Sequence, residues 1–237
     1  MTTAAVSSSV RQRLSAGRMP FLLRRLNSLT GILFGAYVAI HLLLSATLVE
    51  GYREGALETV YQKQIDFFHS LPFLRPLVWI FVYLPILYHT GFGLWLTTTA
   101  QPNINQYPYT KNVLYLFQRV SALVLVAFIL FHVTAMHGWW GQTLAFNPRD
   151  ATRTTISHLS ASWFIGWFVY PVGILAACYH LANGFWTAAI SWGITISARA
   201  QRRWGWICAG LFVALFVCGM IAVIGALGPA ATARHGG

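Results

Sequence analysis

The sequence predicts an all-α integral membrane protein, a bundle of five transmembrane helices. Of its 237 residues, 57% are hydrophobic and only 9% are charged, whereas soluble domains carry about 25% charged residues. Five apolar runs are each long enough to cross a hydrocarbon core of about 30 Å as helices, and they are too uniformly apolar for the strands of a barrel. The runs occupy residues 22–49, 74–99, 113–137, 162–190 and 204–228. We expect residues 1–237 to form one transmembrane domain, with residues 1–21 as a cytoplasmic arm.

The distribution of charge predicts the orientation of this bundle. Short segments rich in Lys and Arg stay on the cytoplasmic side of a membrane. With the N-terminus inside and the C-terminus outside, most of the basic residues fall on the inner side: Arg11, Arg13, Arg18, Arg24, Arg25, Lys111, Arg119, Arg199, Arg202 and Arg203. The acidic residues all fall outside: Glu50, Glu54, Glu58, Asp66 and Asp150. This topology accounts for the net charge of +11, so we expect no binding of nucleic acid.

Four of the predicted helices each contain one histidine. The first and third helices run outward, and at a rise of about 1.5 Å per residue His41 and His132 both lie near the outer face. The second and fourth run inward, and His89 and His180 both lie near the inner face. Pro85 and Pro171 precede these two residues and are expected to bend their helices. The fifth helix carries no histidine, and we assign it only a packing role.

Ionisable residues inside a membrane are unfavourable and usually functional. Two imidazoles at equal depth on facing helices suit a low-spin haem held in the bundle core, so the depths predict two haems. One would be ligated by His41 and His132, and the other by His89 and His180. Hydrogen bonding between helices is the simpler alternative, which two matched depths disfavour. The other histidines are expected in solvated loops or at helix ends: His69, His137, His158 and His235.

Two haems stacked across a membrane would carry single electrons between its faces, with a lipid-soluble quinone as the obvious partner. The chain has no dinucleotide fingerprint, no P-loop and no cysteine set for an iron–sulfur cluster. We therefore expect it to need partner subunits for any reaction of a soluble substrate.

Four strings carry a resemblance to a known family. They are RRLNSLTG (24–31), LPILYHTGFG (84–93), NQYPYTKNVLYLFQRV (105–120) and YHLANGFWTAAISWGITIS (179–197). Together they closely resemble the cytochrome b membrane-anchor subunit of succinate:quinone oxidoreductase, in its single-polypeptide, five-helix, two-haem class. The likeness covers about residues 21–225, and its last string is the most specific part.

The resemblance implies the same haem ligands by position, His41 and His132 for the distal haem and His89 and His180 for the proximal one. It also implies a flavoprotein subunit and an iron–sulfur subunit on the cytoplasmic face. Electrons from succinate would pass through them and two haem b groups to menaquinone or another quinone. The location would be the bacterial cytoplasmic membrane.

Polar residues at the inner ends of the first and third helices are candidates for haem propionates or a quinone headgroup: Arg25, Asn27, Ser28, Gln118 and Arg119. Arg matches a carboxylate with two parallel hydrogen bonds. Arg25 and Arg119 are therefore our candidates for binding the propionates.

Two positions depart from the family pattern. Relatives often have His where this chain has Asn27. Fumarate reductases with a transmembrane proton path carry Glu two residues before the fourth ligand, where this chain has Cys178. We therefore expect no such path and favour succinate oxidation. Glu58 and Asp66 are candidates for proton exchange with a quinone on the outer side, although loop acids are usually only solvated.

Two alternatives stay open at this stage. The chain could be the quinone-reacting cytochrome b of a fumarate reductase or of another respiratory complex, which the string GFWTAAISWGITIS disfavours. It could also be a haem-free membrane anchor or a transporter, although the sequence shows no repeat with broken helices.

Overall fold

The computed structural model describes residues 3–50, 59–99 and 105–228. For residues 3–20 and Glu50 it describes the backbone alone. This part of the chain is helical and contains no strand. The α-helices, in chain order, are α1 (Thr3–Ser45), α2 (Val60–Ser70), α3 (Leu74–Val78), α4 (Leu84–Thr99), α5 (Thr110–Met136), α6 (Ala151–Ser160), α7 (Tyr170–Ser191) and α8 (Ala198–Leu227).

Five helical segments are long and apolar enough to cross a membrane, which confirms the predicted fold class. We call them the first to fifth spans, and they are Phe21–Val49, Leu74–Thr99, Thr110–Met136, Ile165–Ser191 and Ala198–Leu227. Most of the first span is the C-terminal part of α1, and α1 itself begins at Thr3, within the predicted arm. The fifth begins at Ala198, before the apolar run, because Ser197 caps the helix by accepting a hydrogen bond from the amide of Ala200 at 3.2 Å.

Two π turns widen the helical ladder, each just before a proline. Trp79–Tyr83 joins α3 to α4 ahead of Pro85, and Ile165–Val169 precedes α7 ahead of Pro171. Proline has no N–H to donate, and its ring crowds the carbonyl one turn earlier, so the ladder must adjust there. The distortion expected at these prolines therefore takes the form of a π turn.

The fourth and fifth spans form the apolar core, with the first span and α6 packed against them. Gly219 allows the fifth span to approach the fourth closely, because a Cβ built there would lie 2.5 Å from Cγ2 of Ile174. The buried core residues are Leu42, Ile156, Leu159, Tyr170, Ile174, Cys178, Leu181, Leu215, Val223 and Ala226. In contrast, the second and third spans leave large apolar side chains such as Leu87 and Leu130 about two-thirds exposed in the isolated chain, which suits contact with lipid or partners.

The two ends of the bundle differ. One end, which we call the capped end, is covered by α2 and α6. The hydroxyls of Thr59 and Thr152 lie 2.6 Å apart there, and Gln62 Oε1 accepts a hydrogen bond from the amide of Ala151 at 2.7 Å. The opposite end carries Arg25 and most of the other arginines whose side chains the structure describes, and we call it the basic end.

Candidate functional site

Two pairs of histidines lie inside the bundle. Near the capped end, the ring centroids of His41, on the first span, and His132, on the third, are 6.1 Å apart. Near the basic end, the ring centroids of His89, on the second span, and His180, on the fourth, are also 6.1 Å apart. These are the pairs that the depth argument expects.

The spacing of each pair fits one metal ion between two imidazoles. A metal lies about 2.0–2.1 Å from a ligating imidazole nitrogen, and that nitrogen lies about 1.2 Å from the centroid of a ring with bonds near 1.3–1.4 Å. Two rings that face one metal therefore have centroids about 6.4–6.6 Å apart, within about 0.5 Å of the separation in each pair. Among the described residues, no group of three or more His, Cys, Asp or Glu comes together. A pair of imidazoles suits haem, which supplies the remaining donors from its own macrocycle.

The second span has two glycines, and therefore no side chain at two positions, shortly after His89. A Cβ built at Gly91 or Gly93 would meet nothing within 4 Å in the described part of the chain. Gly93 follows His89 by about one helical turn and lies on the same face. A flat macrocycle needs such room beside its ligand, so Gly93 fits the group that the histidines suggest.

Gly31 brings the first span against the ring of His89. A Cβ at Gly31 would lie 2.6 Å from Cε1 and 2.8 Å from Nδ1 of His89. One turn further on, a Cβ at Gly35 would lie 3.2 Å from Cδ1 of Leu181. The small residues of this GxxxG pair thus allow close packing against the second and fourth spans, as is usual in membranes.

Backbone carbonyls orient both imidazoles at the basic end. Nδ1 of His89 lies 2.9 Å from the carbonyl oxygen of Asn27. Nδ1 of His180 lies 3.2 Å from the carbonyl oxygen of Gln118 and 3.3 Å from Oγ of Ser121. A carbonyl only accepts, so each Nδ1 carries the proton and each Nε2 keeps a lone pair for a metal.

Side chains orient the capped-end pair instead. Nδ1 of His132 lies 2.9 Å from the hydroxyl of Tyr170, which lies 2.7 Å from Nε2 of His158. The ring of His41 stacks on Tyr37 with centroids 5.8 Å apart, and within the described residues its nitrogens make no hydrogen bond.

The prediction that His158 is solvated is wrong, because α6 packs its side chain into the capped end. His158 is 0% exposed, and its Nδ1 lies 2.8 Å from the carbonyl oxygen of Leu144. Burial lowers the pKa of His158, and the hydrogen bond to Leu144 offsets only part of this effect. His69 and His137 are exposed as expected, and His235 lies outside the described residues.

Helical spacing could have identified His158 from the sequence. It follows Thr155 by three residues and Ala151 by seven, so the three share one face of α6. That face is buried, whereas Arg153 on the same helix is exposed. The role of Tyr170 had no comparable signal.

Two of the polar candidates on the first span, Arg25 and Ser28, contact Trp192 at the basic end. The guanidinium of Arg25 lies 4.7 Å from the ring centroid of Trp192 and 5.0 Å from that of Phe21. The indole N–H of Trp192 donates to Oγ of Ser28 at 2.9 Å. Oδ1 of Asn27 is buried and has no hydrogen-bond partner among the described residues, so it remains able to accept from a bound group.

The candidates on the third span are engaged with neighbouring helices. Gln118 donates to the carbonyl of His180 at 3.1 Å and accepts from Nδ2 of Asn183 at 2.7 Å. Arg119 stacks on Tyr115, with its guanidinium 4.3 Å from the ring centroid. It also lies 3.4 Å from the carbonyl oxygen of Leu96. Gln118 thus joins the third and fourth spans, and Arg119 reaches the end of the second.

One of the two acidic candidates, Asp66, lies at the capped end. Asp66 is exposed and accepts a hydrogen bond from Nε2 of Gln62 at 2.9 Å. Glu58 lies outside the described residues.

Comparison with known proteins gives one clear relationship. Over 210 residues the chain is 30% identical to the succinate dehydrogenase cytochrome b558 subunit of Bacillus subtilis (strain 168). The aligned region covers 88% of this chain and 98% of the relative. No family model matches the chain.

Proposed function

The chain belongs to the family of cytochrome b membrane-anchor subunits of succinate dehydrogenase, and from this premise we propose that it carries electrons from succinate to a membrane quinone through two bis-histidine haems. It is a multi-pass protein of the bacterial cytoplasmic membrane. The pair His41 and His132 would hold one haem b, and the pair His89 and His180 the other.

The observation that carries this proposal is the repeated geometry of the two pairs. Four histidines from four spans form two couples, and both couples have a ring-centroid separation of 6.1 Å, which is within about 0.5 Å of the separation that one metal between imidazoles requires. Histidines that served only to hydrogen-bond neighbouring helices would have no reason to pair with the same ring-centroid separation. The two basic-end rings also donate from Nδ1 to main-chain carbonyls, which leaves Nε2 of each ring without a proton.

Partner subunits would dock at the basic end. We propose that this end faces the cytoplasm, as the positive-inside rule requires, and that a flavoprotein subunit and an iron–sulfur subunit bind there. These partners would oxidise succinate, since the chain itself has no site for that chemistry among the residues described above. Menaquinone is our first choice of quinone.

The residues of the chain bind and orient the cofactors. Each bound haem supplies reversible transfer of one electron. The carbonyls of Asn27 and Gln118 hold the basic-end imidazoles, and the apolar spans exclude water, which influences redox potential. Arg25, Asn27 and Ser28 are proposed to bind a propionate or a quinone headgroup at the basic end. Gln118 and Arg119 are proposed to support them from the third span.

We also propose that no transmembrane proton path passes through the fourth span. Cys178 occupies the position expected for such a path and is 0% exposed in the apolar core, between Ile174 and Leu181 along the same helix. Buried apolar contacts on this face favour packing over proton transfer.

The test is a dithionite-reduced minus oxidised absorption spectrum of the purified complex, with haem quantified per chain. We expect two low-spin b haems in the wild type. His41→Ala and His89→Ala should each remove one of them, because each variant takes a single ligand from a single pair.

His137→Ala is the matched control, since His137 is exposed at the end of the third span and should keep both haems. A folded preparation without haem, made with ample haem supply, would contradict the proposal. So would retention of both haems in the two ligand variants.

A further inference from the structure

A line of three hydrogen bonds joins His132 to the capped end. It runs from His132 Nδ1 to the Tyr170 hydroxyl at 2.9 Å, from that hydroxyl to His158 Nε2 at 2.7 Å, and from His158 Nδ1 to the Leu144 carbonyl at 2.8 Å. His158 is 0% exposed and Tyr170 is 8% exposed. The line is therefore shielded from solvent along its length.

The last acceptor fixes the direction of every bond in the line. The carbonyl of Leu144 only accepts, so Nδ1 of His158 must donate. Burial favours a neutral His158, whose Nε2 then has no proton and accepts from the Tyr170 hydroxyl. Because the hydroxyl proton of Tyr170 is already donated to His158, its oxygen accepts a hydrogen bond from Nδ1 of His132. The Nε2 of His132 is thereby left with a lone pair.

The surrounding packing holds this geometry in place. The π turn Ile165–Val169 ends immediately before Tyr170, and its widened ladder sets the rotation of the phenol about the helix axis. Phe128 stacks on His132, with centroids 5.8 Å apart and planes 18° apart. Phe128 has little freedom itself, because it lies against Gly173, where any Cβ would overlap its ring.

We propose that Tyr170 and His158 are positioning residues that set the tautomer and ring orientation of His132. The inference rests on the proposed function, in which His132 is a haem ligand. An acceptor for the Nδ1 proton makes an imidazole more basic and fixes its plane. The short helix α6, outside the spans, thereby influences the electronic properties of the capped-end haem.

Tyr170→Phe removes the hydroxyl and keeps the ring, so it tests the proposal directly. We expect the midpoint potential of the capped-end haem to rise, because a less basic imidazole stabilises ferric iron less. Its low-spin electron paramagnetic resonance signal should also shift as the ring of His132 rotates. The basic-end haem should keep both its potential and its signal.

Tyr179→Phe is the matched control. Tyr179 precedes His180 on the same span, but its hydroxyl donates to the backbone carbonyl of Leu114 at 3.1 Å rather than to a histidine. This variant should leave both potentials and both signals at their wild-type values. Equal behaviour of the two tyrosine variants would overturn the proposal.

Two variants of His158 provide an independent test should Tyr170→Phe fail to assemble. His158→Gln can accept from Tyr170 and donate to Leu144, so it should keep the wild-type potential. His158→Leu leaves the hydroxyl of Tyr170 to donate to His132, which should shift the capped-end haem or release it. Identical spectra and potentials for the two variants would count against the proposal.

These outcomes separate this inference from the proposed function. If the ligand variants His41→Ala and His89→Ala fail to remove one haem each, the proposed function fails. If each removes one haem and Tyr170→Phe leaves the potential and signal of the capped-end haem unchanged, only the positioning role fails.

Discussion

The two histidine pairs have the same ring separation but are held by different parts of the chain. At the basic end, His89 and His180 donate to the main-chain carbonyls of Asn27 and Gln118. At the capped end, His132 donates to the side chain of Tyr170, whereas His41 stacks on Tyr37 and its nitrogens make no hydrogen bond within the described residues.

The comparison teaches which kind of change each pair should tolerate. A main-chain carbonyl persists through any substitution, so the orientation of the basic-end pair depends on how closely the spans pack. A hydroxyl disappears with one substitution, so the orientation of the capped-end pair depends on particular side chains. We expect the first pair to respond to altered packing and the second to altered polar groups.

The largest expected effect is at Gly31, where packing against His89 is tightest. In Gly31→Ala, the new Cβ would lie 2.6 Å from Cε1 of that ring, so the ring or the first span must move. We expect loss of the basic-end haem and retention of the capped-end haem. Haem quantification per chain, combined with the spectrum of the remaining haem, measures this.

Gly210→Ala is the control for that variant, because a Cβ at Gly210 meets nothing within 4 Å in the described chain. It should keep both haems. Normal binding of both haems in Gly31→Ala would contradict the idea that the basic-end pair depends on packing, since packing would then not determine the position of His89.

A smaller effect is expected at Gln118, and it sharpens the comparison. Gln118→Leu removes a side chain that bridges His180 and Asn183 but leaves the main-chain carbonyl that orients the imidazole of His180. We expect a loss of about 0.5–2 kcal/mol in the stability of the complex, because Asn183 loses a buried partner. The potential of the basic-end haem should not change.

Thermal denaturation and redox titration measure these two quantities. The double variant Gln118→Leu with Asn183→Leu should recover part of the stability, since both polar partners are then absent. A shifted basic-end potential in Gln118→Leu would show that its side chain, rather than its carbonyl, controls the imidazole.

The smallest effect concerns pH and the capped end. Burial lowers the pKa of His158 in the folded protein, whereas the unfolded chain should titrate near about 6.5. The unfolded state therefore binds more protons as pH falls, and stability should decrease below about pH 6.5. The titratable groups that face His158 are Tyr170 and, beyond it, His132, and neither supplies a negative charge that would favour a protonated His158.

Melting temperatures between about pH 7.5 and 5.5 test this sign. His158→Gln should reduce the decrease on acidification, whereas His137→Gln, at an exposed position, should retain it. An unchanged slope in His158→Gln would assign the acid sensitivity to other groups.

The sequence was sufficient for the spans and for the adjacency of the histidines because both follow from regular geometry. A constant rise per residue converts spacing into depth, and His89 and His180 needed no knowledge of loops to be matched. Ligation of metal by these residues stays a prediction.

Helical spacing assigns His158 to one face of α6, but the burial of that face was not predicted, because it depends on how two short helices dock over the bundle. Gln62 and Thr59 on one side of that contact, and Thr152 on the other, form polar bonds that only the assembled fold defines. The engagement of Gln118 by Asn183 likewise required knowledge of which faces of the third and fourth spans meet.

The π turns at Trp79–Tyr83 and Ile165–Val169 have a consequence for how this chain can vary in evolution. A π turn behaves as one inserted residue within an α-helix. Loss of one residue at either turn would restore regular helical bonding without rotating His89 or His180 onto another face. Length differences between relatives should therefore be tolerated at these two places, whereas a gap elsewhere in the same spans would turn a histidine away from its partner.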